Sequence, residues 1–160
     1  MARNWWGTRQ NVSSRLRLEV ELMQAAFGET FRLEFEKNSN ILYWLGQVEI
    51  NLKDLRERLH HLKIIYPSDY PSRPPEAYIL HPYLYSKKHQ FEDGQLCLFN
   101  PKDGVTYGWN PSTSTAVTVA AWAVEWIYSF YTWKATGEWP GVEERLTPGG
   151  LRRGERPHHG

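Results

Sequence analysis

Between Tyr66 and Pro75 the chain reads Tyr-Pro-Ser-Asp-Tyr-Pro-Ser-Arg-Pro-Pro, four prolines within the nine residues 67–75. Each proline lacks an N–H and holds its own φ near about −65°. No continuous β ladder passes through such a segment. It is expected to be a stiff surface turn, a structural corner between strands rather than a source of chemistry.

The flanks of this corner carry regular patterns. Over residues 13–28, Leu16, Val20, Met23 and Phe27 recur at three- and four-residue intervals, one apolar helical stripe. Ser13 or Ser14 is the candidate N-cap and Gly28 the stop. Phe31, Leu33 and Phe35 then alternate with Arg32, Glu34 and Glu36, the period of a half-buried strand. Asn38-Ser39-Asn40 reads as a hairpin turn. A second strand is expected from about Ile41 to Ile50, with Gly46 marking a bulge. A third covers roughly Leu59–Tyr66, and a short fourth Ala77–Leu80.

From Tyr83 to Pro111 there is no long periodic element. Loops of that length in a compact domain are functional or disordered; Cys97, His89, Trp109 and several apolar residues argue for an ordered one. After Asn110-Pro111-Ser112 a helix of about six turns is expected to reach Thr136 and stop at Gly137. Trp122, Trp126 and Trp133 fall on one face of it, and Val119, Ala123, Ile127 and Phe130 widen the apolar surface. Such a helix lies across the sheet or meets a partner. The organisation is thus an N-terminal extension (1–12), a single domain (13–140) and a tail (141–160) expected to be flexible from its Gly, Pro and Arg content.

Composition narrows the classes. The formal charge is +1, and no Arg/Lys stripe alternates with aromatics, so nucleic acid is not an expected partner. Residues 116–131 form the one long apolar run. It carries Glu125 and falls short of the roughly 20 residues a membrane helix needs. One cysteine cannot form an internal disulfide, and the first residues show no apolar signal region; a cytoplasmic protein is expected.

The single cysteine, Cys97, lies in Asp-Gly-Gln-Leu-Cys-Leu-Phe. Flanking leucines suit a small buried hydrophobe; the adjacent Gly94 and the long ordered loop suit a reagent. Zinc needs three or four N/S ligands, and His60, His61, His81 and His89 lack the spacing, so no metal and no cofactor are expected. A phosphatase loop would need an Arg soon after the cysteine, where this chain has Asn100-Pro101-Lys102-Asp103. A hydrolase would need an activating histidine and a third group; His89 and His81 remain open for the first role. Thioester exchange asks for least: an accessible sulfur, an oxyanion donor and a docking surface for protein cargo.

The order of these pieces resembles the ubiquitin-conjugating (E2) family. Trp44-x-Gly46 comes first, then Leu62-x-Ile64-x-Tyr66-Pro67-x-x-Tyr70-Pro71-x-x-Pro74-Pro75. His81-Pro82, Gly94-x-Leu96-Cys97-Leu98 and Trp109-x-Pro111 follow. The resemblance covers about residues 13–135. It implies an α+β fold of the E2 (UBC-like) kind: an N-terminal helix, a four-stranded antiparallel sheet, an active-site loop and a long C-terminal helix. It also implies that Cys97 forms the thioester, that His81 and Gly94 support the site, and that Trp109-Asn110-Pro111 packs the last helix under it.

The chain departs from the family in one informative place. The usual His-Pro-Asn triplet ends eight residues before the cysteine; here His81-Pro82 is followed by Tyr83, sixteen residues after His81 comes Cys97, and eight residues before it stands His89, then Gln90. Either the loop carries an insertion after His81-Pro82, or the asparagine's role has passed to His89, the favoured oxyanion helper, or to Gln90, the lesser candidate. The residues around 100–111 are unlike the eukaryotic pattern, and the usual extra C-terminal helices are missing.

Such divergence is similar to prokaryotic E2-like proteins of antiviral-defence operons, of the CBASS type or with a ubiquitin-like protein. The partners this implies are a ubiquitin-like protein or a cGAS-like nucleotidyltransferase as cargo, an E1-like activating protein where the system has one, and a lysine-bearing acceptor. A non-catalytic E2-variant or RWD-like binding module, and a cysteine isopeptidase using His89, stand as alternatives.

Overall fold

The computed structural model describes residues 4–98 and 108–140; the expected tail lies outside them. The helix α1 spans Ser14–Phe27 and a 3₁₀ turn follows at Gly28–Thr30. Strands β1 (Phe31–Glu36), β2 (Ile41–Glu49), β3 (Leu59–Ile65) and β4 (Glu76–His81) come next, then helix α2 (Ala116–Thr136).

Local chemistry sets these boundaries. The Ser13 hydroxyl accepts the Leu16 N–H at 3.1 Å, satisfying a donor that the helix cannot satisfy itself. In the hairpin between β1 and β2, Ser39 donates its N–H and its hydroxyl to Glu36 Oε1 at 2.9 and 3.1 Å. The helix α2 begins at Ala116, four residues later than Ser112. Thr115 caps it: its hydroxyl accepts the Val117 N–H at 3.2 Å, and Thr118 Oγ1 accepts the Thr115 N–H at 3.0 Å.

The four strands form an antiparallel sheet in sequence order. Phe31, Leu33 and Phe35 oppose Gly46, Trp44 and Leu42 on the inner face. Gly46 is no bulge. Pairing runs unbroken through it on both sides, and the single shift of register lies between β3 and β4 at His61/Leu62. Glycine is required for another reason: a Cβ at position 46 would sit inside the Phe31 ring.

One face of α2, with Val119, Ala123, Trp126, Ile127 and Phe130, closes the core over Leu62, Ile64 and Ala77. Among the tryptophans of that helix only Trp126 is fully buried; Trp122 and Trp133 are half-buried. Residues 4–12 also pack on the core. Trp6 meets Phe35 at 5.4 Å, and Trp5 lies 4.7 Å from both Tyr66 and Tyr70.

The proline corner has an inside as well as a surface. Ser68, Asp69, Ser72 and Arg73 face solvent, whereas Tyr66 and Tyr70 are buried. Both tyrosine hydroxyls donate to the carboxylate of Glu19 on α1, Tyr66 to Oε1 at 2.7 Å and Tyr70 to Oε2. Glu19 Oε1 also accepts the N–H of Ala116, the first residue of α2, at 3.0 Å. Arg15 completes the knot. Its Nε donates to Glu19 at 3.0 Å, and its other nitrogens reach Tyr70 Oη at 2.8 Å, Ser114 O at 2.7 Å and Pro111 O at 3.1 Å. A fully buried carboxylate at a helix N-terminus is well placed against the helix dipole and its free N–H groups. Through it α1, the corner and α2 are held as one unit.

Candidate active site

The segment Leu96–Leu98 is extended, so its side chains alternate in direction. Leu96 and Leu98 point into the core, 2% and 4% exposed, and Cys97 between them is half-buried on the other side. The backbone is held from two directions. Leu96 donates to Ala77 O of β4 at 2.9 Å, and Cys97 donates to His89 O at 3.0 Å. The flanking leucines are therefore anchors for a presented sulfur.

A tight reversal brings His89 alongside Cys97. Gln90 and Leu96 bridge antiparallel, Phe91 N–H reaches Gln95 O at 2.9 Å, and Gly94 N–H reaches Phe91 O at 2.9 Å. Gly94 turns with φ +95°, a conformation that favours glycine. Asp93 Oδ1 accepts the Gln95 N–H at 3.0 Å, closing the turn from the side. The side chain of Gln90 is part of the same scaffold: its Oε1 accepts Ser86 N–H at 2.8 Å and its Nε2 donates to Gly94 O at 3.3 Å.

His89 joins this turn to α2. Its carbonyl accepts the indole N–H of Trp126 at 2.9 Å as well as the Cys97 N–H, using both lone pairs. Its ring stacks on Trp139, centroids 3.9 Å apart and planes 13° apart. Trp139 in turn meets Trp126 edge-on at 5.2 Å. Thus Trp126 and Trp139 fix the residue that fixes the Cys97 main chain. Burial pushes the Cys97 thiol above its ordinary pKa.

The other expected site residues lie elsewhere. Ala77 holds Leu96, and His81 stands four residues on along β4, about 13 Å away in an extended strand; its ring is 6.0 Å from that of His61. Trp109 donates to Pro71 O at 2.9 Å and lies 5.9 Å from the Tyr70 ring, so it braces the proline corner. Pro111 is bound through its carbonyl to Arg15. Cys97, His89, Gln90 and Gly94 are thus together in one loop, while His81, Trp109 and Pro111 belong to the frame. Among the described residues no three His, Cys, Asp or Glu side chains converge as a metal site, and no helix is long and apolar enough to cross a membrane.

Glu19 and Trp139 are not singled out by sequence reasoning, and Trp126 is read there only as part of an apolar helix face, not as a partner of the loop. A signal for Glu19 exists: it interrupts the buried stripe of α1 between Leu16 and Met23, a charge at a core position.

An N-terminal helix, a four-stranded antiparallel meander and a long second helix across it define an E2-like (UBC) fold. The chain belongs to the family described as Type II CBASS E2 protein, whose model matches residues 19–146. Among solved structures it is similar to the Vps23 UEV in its complex with ubiquitin, at 14% identity and TM-score 0.48, covering 71% of this chain and 81% of that one. Human ubiquitin-conjugating enzyme E2 G1 matches at 19% identity and TM-score 0.45, covering 68% and 88%. A ubiquitin-conjugating enzyme E2 from Plasmodium falciparum matches at 19% and 0.45, covering 70% and 94%. No curated protein matches the chain.

Proposed function

We propose that the protein is an E2-type acyl transferase: Cys97 takes up the C-terminus of a cargo protein as a thioester and passes it to an amine, in bacterial antiphage defence. The observation that carries this reading is the presentation of the single cysteine. Its backbone is held by β4 through Leu96 and by His89, its neighbours are sunk in the core, and the cysteine itself is half-buried on a loop rather than enclosed. In charging, the Cys97 thiolate attacks an activated carbonyl; a new C–S bond forms and the donor's leaving thiolate takes up a proton. In discharge, an acceptor amine attacks the thioester, the amide forms, and Cys97 regains its proton as the thiol.

His89 is the proposed oxyanion helper, since its own carbonyl is bonded to the Cys97 N–H and keeps the two residues side by side. Gln90 is less suited, both ends of its amide being engaged in the loop. The cargo is a ubiquitin-like protein or a cGAS-like nucleotidyltransferase, the acceptor bears a lysine, an E1-like protein supplies the activated cargo where the system has one, and the setting is the cytoplasm. Incubation with cargo and activating components, followed by gels with and without reductant, tests the reading. A reductant-sensitive adduct that disappears in Cys97→Ala and persists as an oxyester in Cys97→Ser is the expected result. Conjugation that continues unchanged in Cys97→Ala refutes it.

A further inference from the structure

Beside His89 the surface opens into a pocket of about 420 Å³. Trp133 and Trp139 at the end of α2 form its apolar walls with Tyr85, which is 51% exposed. Lys87 and Lys88, both exposed, stand at its rim. A third cation, Lys134, lies over the Trp133 ring at 5.8 Å from the centroid. None of these lysines is in an ion pair among the described residues. The negative features here are the carbonyl end of α2 and Glu138, and the carbonyl of Trp133 is already capped by the Gly137 N–H at 2.7 Å. Two lysines lining an aromatic-walled hollow, with a third beside its Trp133 wall, favour an anionic segment with an apolar side chain to bury.

Position says which segment. His89 is both a wall of the pocket and the residue whose carbonyl holds the Cys97 N–H. An extended peptide with its terminal carbonyl at the sulfur has its preceding residues within reach of the pocket, at about 3.3 Å per residue. An acceptor amine, by contrast, arrives as a cation, which three lysines repel. We propose that this pocket is a docking subsite for an acidic, apolar-flanked segment just upstream of the C-terminus that Cys97 carries. The inference rests on the transferase reading of Cys97 and adds to it a charge preference for the cargo.

Peptidyl thioesters of a small thiol test it on the full chain without any activating enzyme. In that exchange the Cys97 thiolate attacks the thioester carbonyl, the bond to the small thiol breaks, and the departing thiolate takes the proton. Two probes are compared, each ending in a glycyl thioester: one with two glutamates beside a leucine, one with lysines in place of the glutamates. The glutamate probe is expected to acylate Cys97 about two- to thirtyfold faster, the range for two exposed charge pairs, with the ratio falling toward one in molar salt. In Lys87→Glu/Lys88→Glu the preference is expected to invert. Equal rates for both probes, or a ratio unmoved by the double substitution, overturns the docking subsite while leaving the transferase intact. Failure of every thioester to acylate Cys97 overturns the transferase reading and the subsite with it. Carbodiimide cross-links from Lys87 or Lys88 to Glu143 or Glu144 of the same chain would assign the pocket to the protein's own C-terminal residues and overturn the proposal.

Discussion

Replacing Glu19 by alanine strips one carboxylate from four hydrogen-bonding partners at once. Tyr66 Oη, Tyr70 Oη and the Ala116 N–H lose their acceptor, and Arg15 loses its counter-charge. Not all of them are orphaned. Tyr66 Oη still accepts from Trp44 Nε1 at 2.8 Å, and Arg15 keeps Ser114 O, Pro111 O and Tyr70 Oη. Arg15 is also 21% exposed, so water relieves part of its charge. Breaking a buried ion pair costs about 3–5 kcal/mol and each stranded buried donor about 1–3; with the partial compensation, about 4 kcal/mol is expected. For a domain of this size that lowers Tm by about 8–16 °C. Urea titration gives the change in midpoint at constant slope. Tyr70→Phe alone, which removes both the bond to Glu19 and the bond from Arg15, is expected to cost about 2 kcal/mol, and only about half of that in the Glu19→Ala background, where the Arg15 bond alone remains. A Glu19→Ala cost below about 1 kcal/mol, or additivity of the two substitutions within about 0.5 kcal/mol, would refute the claim that this carboxylate ties the two helices to the corner.

Three further outcomes follow from the site and core. Because burial raises the Cys97 thiol, alkylation by iodoacetamide is expected to keep accelerating above the ordinary thiol range of about 8.5; a plateau below about pH 8 would contradict this. Trp126→Phe keeps the aromatic packing and removes one donor from the His89 carbonyl, worth about 1 kcal/mol. It should speed hydrogen exchange at the Cys97 amide more than at the Leu62 amide, and equal acceleration at both would show mere loss of stability. His60 is fully buried, with Nδ1 facing Arg58 O at 3.1 Å and Nε2 facing Tyr131 Oη at 2.7 Å. The carbonyl can only accept, so Nδ1 carries the proton and Nε2 takes the tyrosine's. Burial lowers the His60 pKa, so below about pH 6.5 the unfolded chain binds the extra proton. Its stability contribution is therefore present above that pH and is lost as pH falls. The gap in urea midpoint between wild type and His60→Gln should narrow on acidification; a constant gap would refute it.

The elements that sequence exposes are those whose causes act within a few residues. Prolines 67, 71, 74 and 75 break the ladder by their own covalent geometry, the Phe31–Phe35 alternation needs only period two, and Ser13 caps a turn three residues away. The start of α2 is misplaced by the same logic. Asn110-Pro111-Ser112 carries start signals, but the capping box that binds the helix N–H groups is Thr115 with Thr118. Gly46 is misread because a glycine in a strand has two local meanings, bulge or close approach. The Phe31 ring that decides between them comes from the neighbouring strand.

The site divides the same way. Asp93-Gly94-Gln95-Leu96-Cys97 is a local unit, since the turn at Gly94 and the alternation of Leu96, Cys97 and Leu98 arise within it. What holds that unit in place is remote: Trp126 reaches His89 across 37 residues, and Ala116 reaches Glu19 across 97. Only the folded topology makes such pairs adjacent. This bears on the place where the chain departs from the E2 pattern. Eight residues before Cys97, a histidine carries a backbone carbonyl that any residue would supply and a flat ring that an asparagine lacks. The ring finds Trp139 at 3.9 Å, and Trp139 sits beyond the left-handed stop at Gly137. A histidine at this position therefore makes physical sense together with the tryptophan after α2. His89→Asn should then free the Trp139 ring, seen as a shift in tryptophan fluorescence, while the Cys97 amide stays protected by the unchanged carbonyl. Loss of that protection in His89→Asn would mean that the ring, and not the main chain, governs the position of the cysteine.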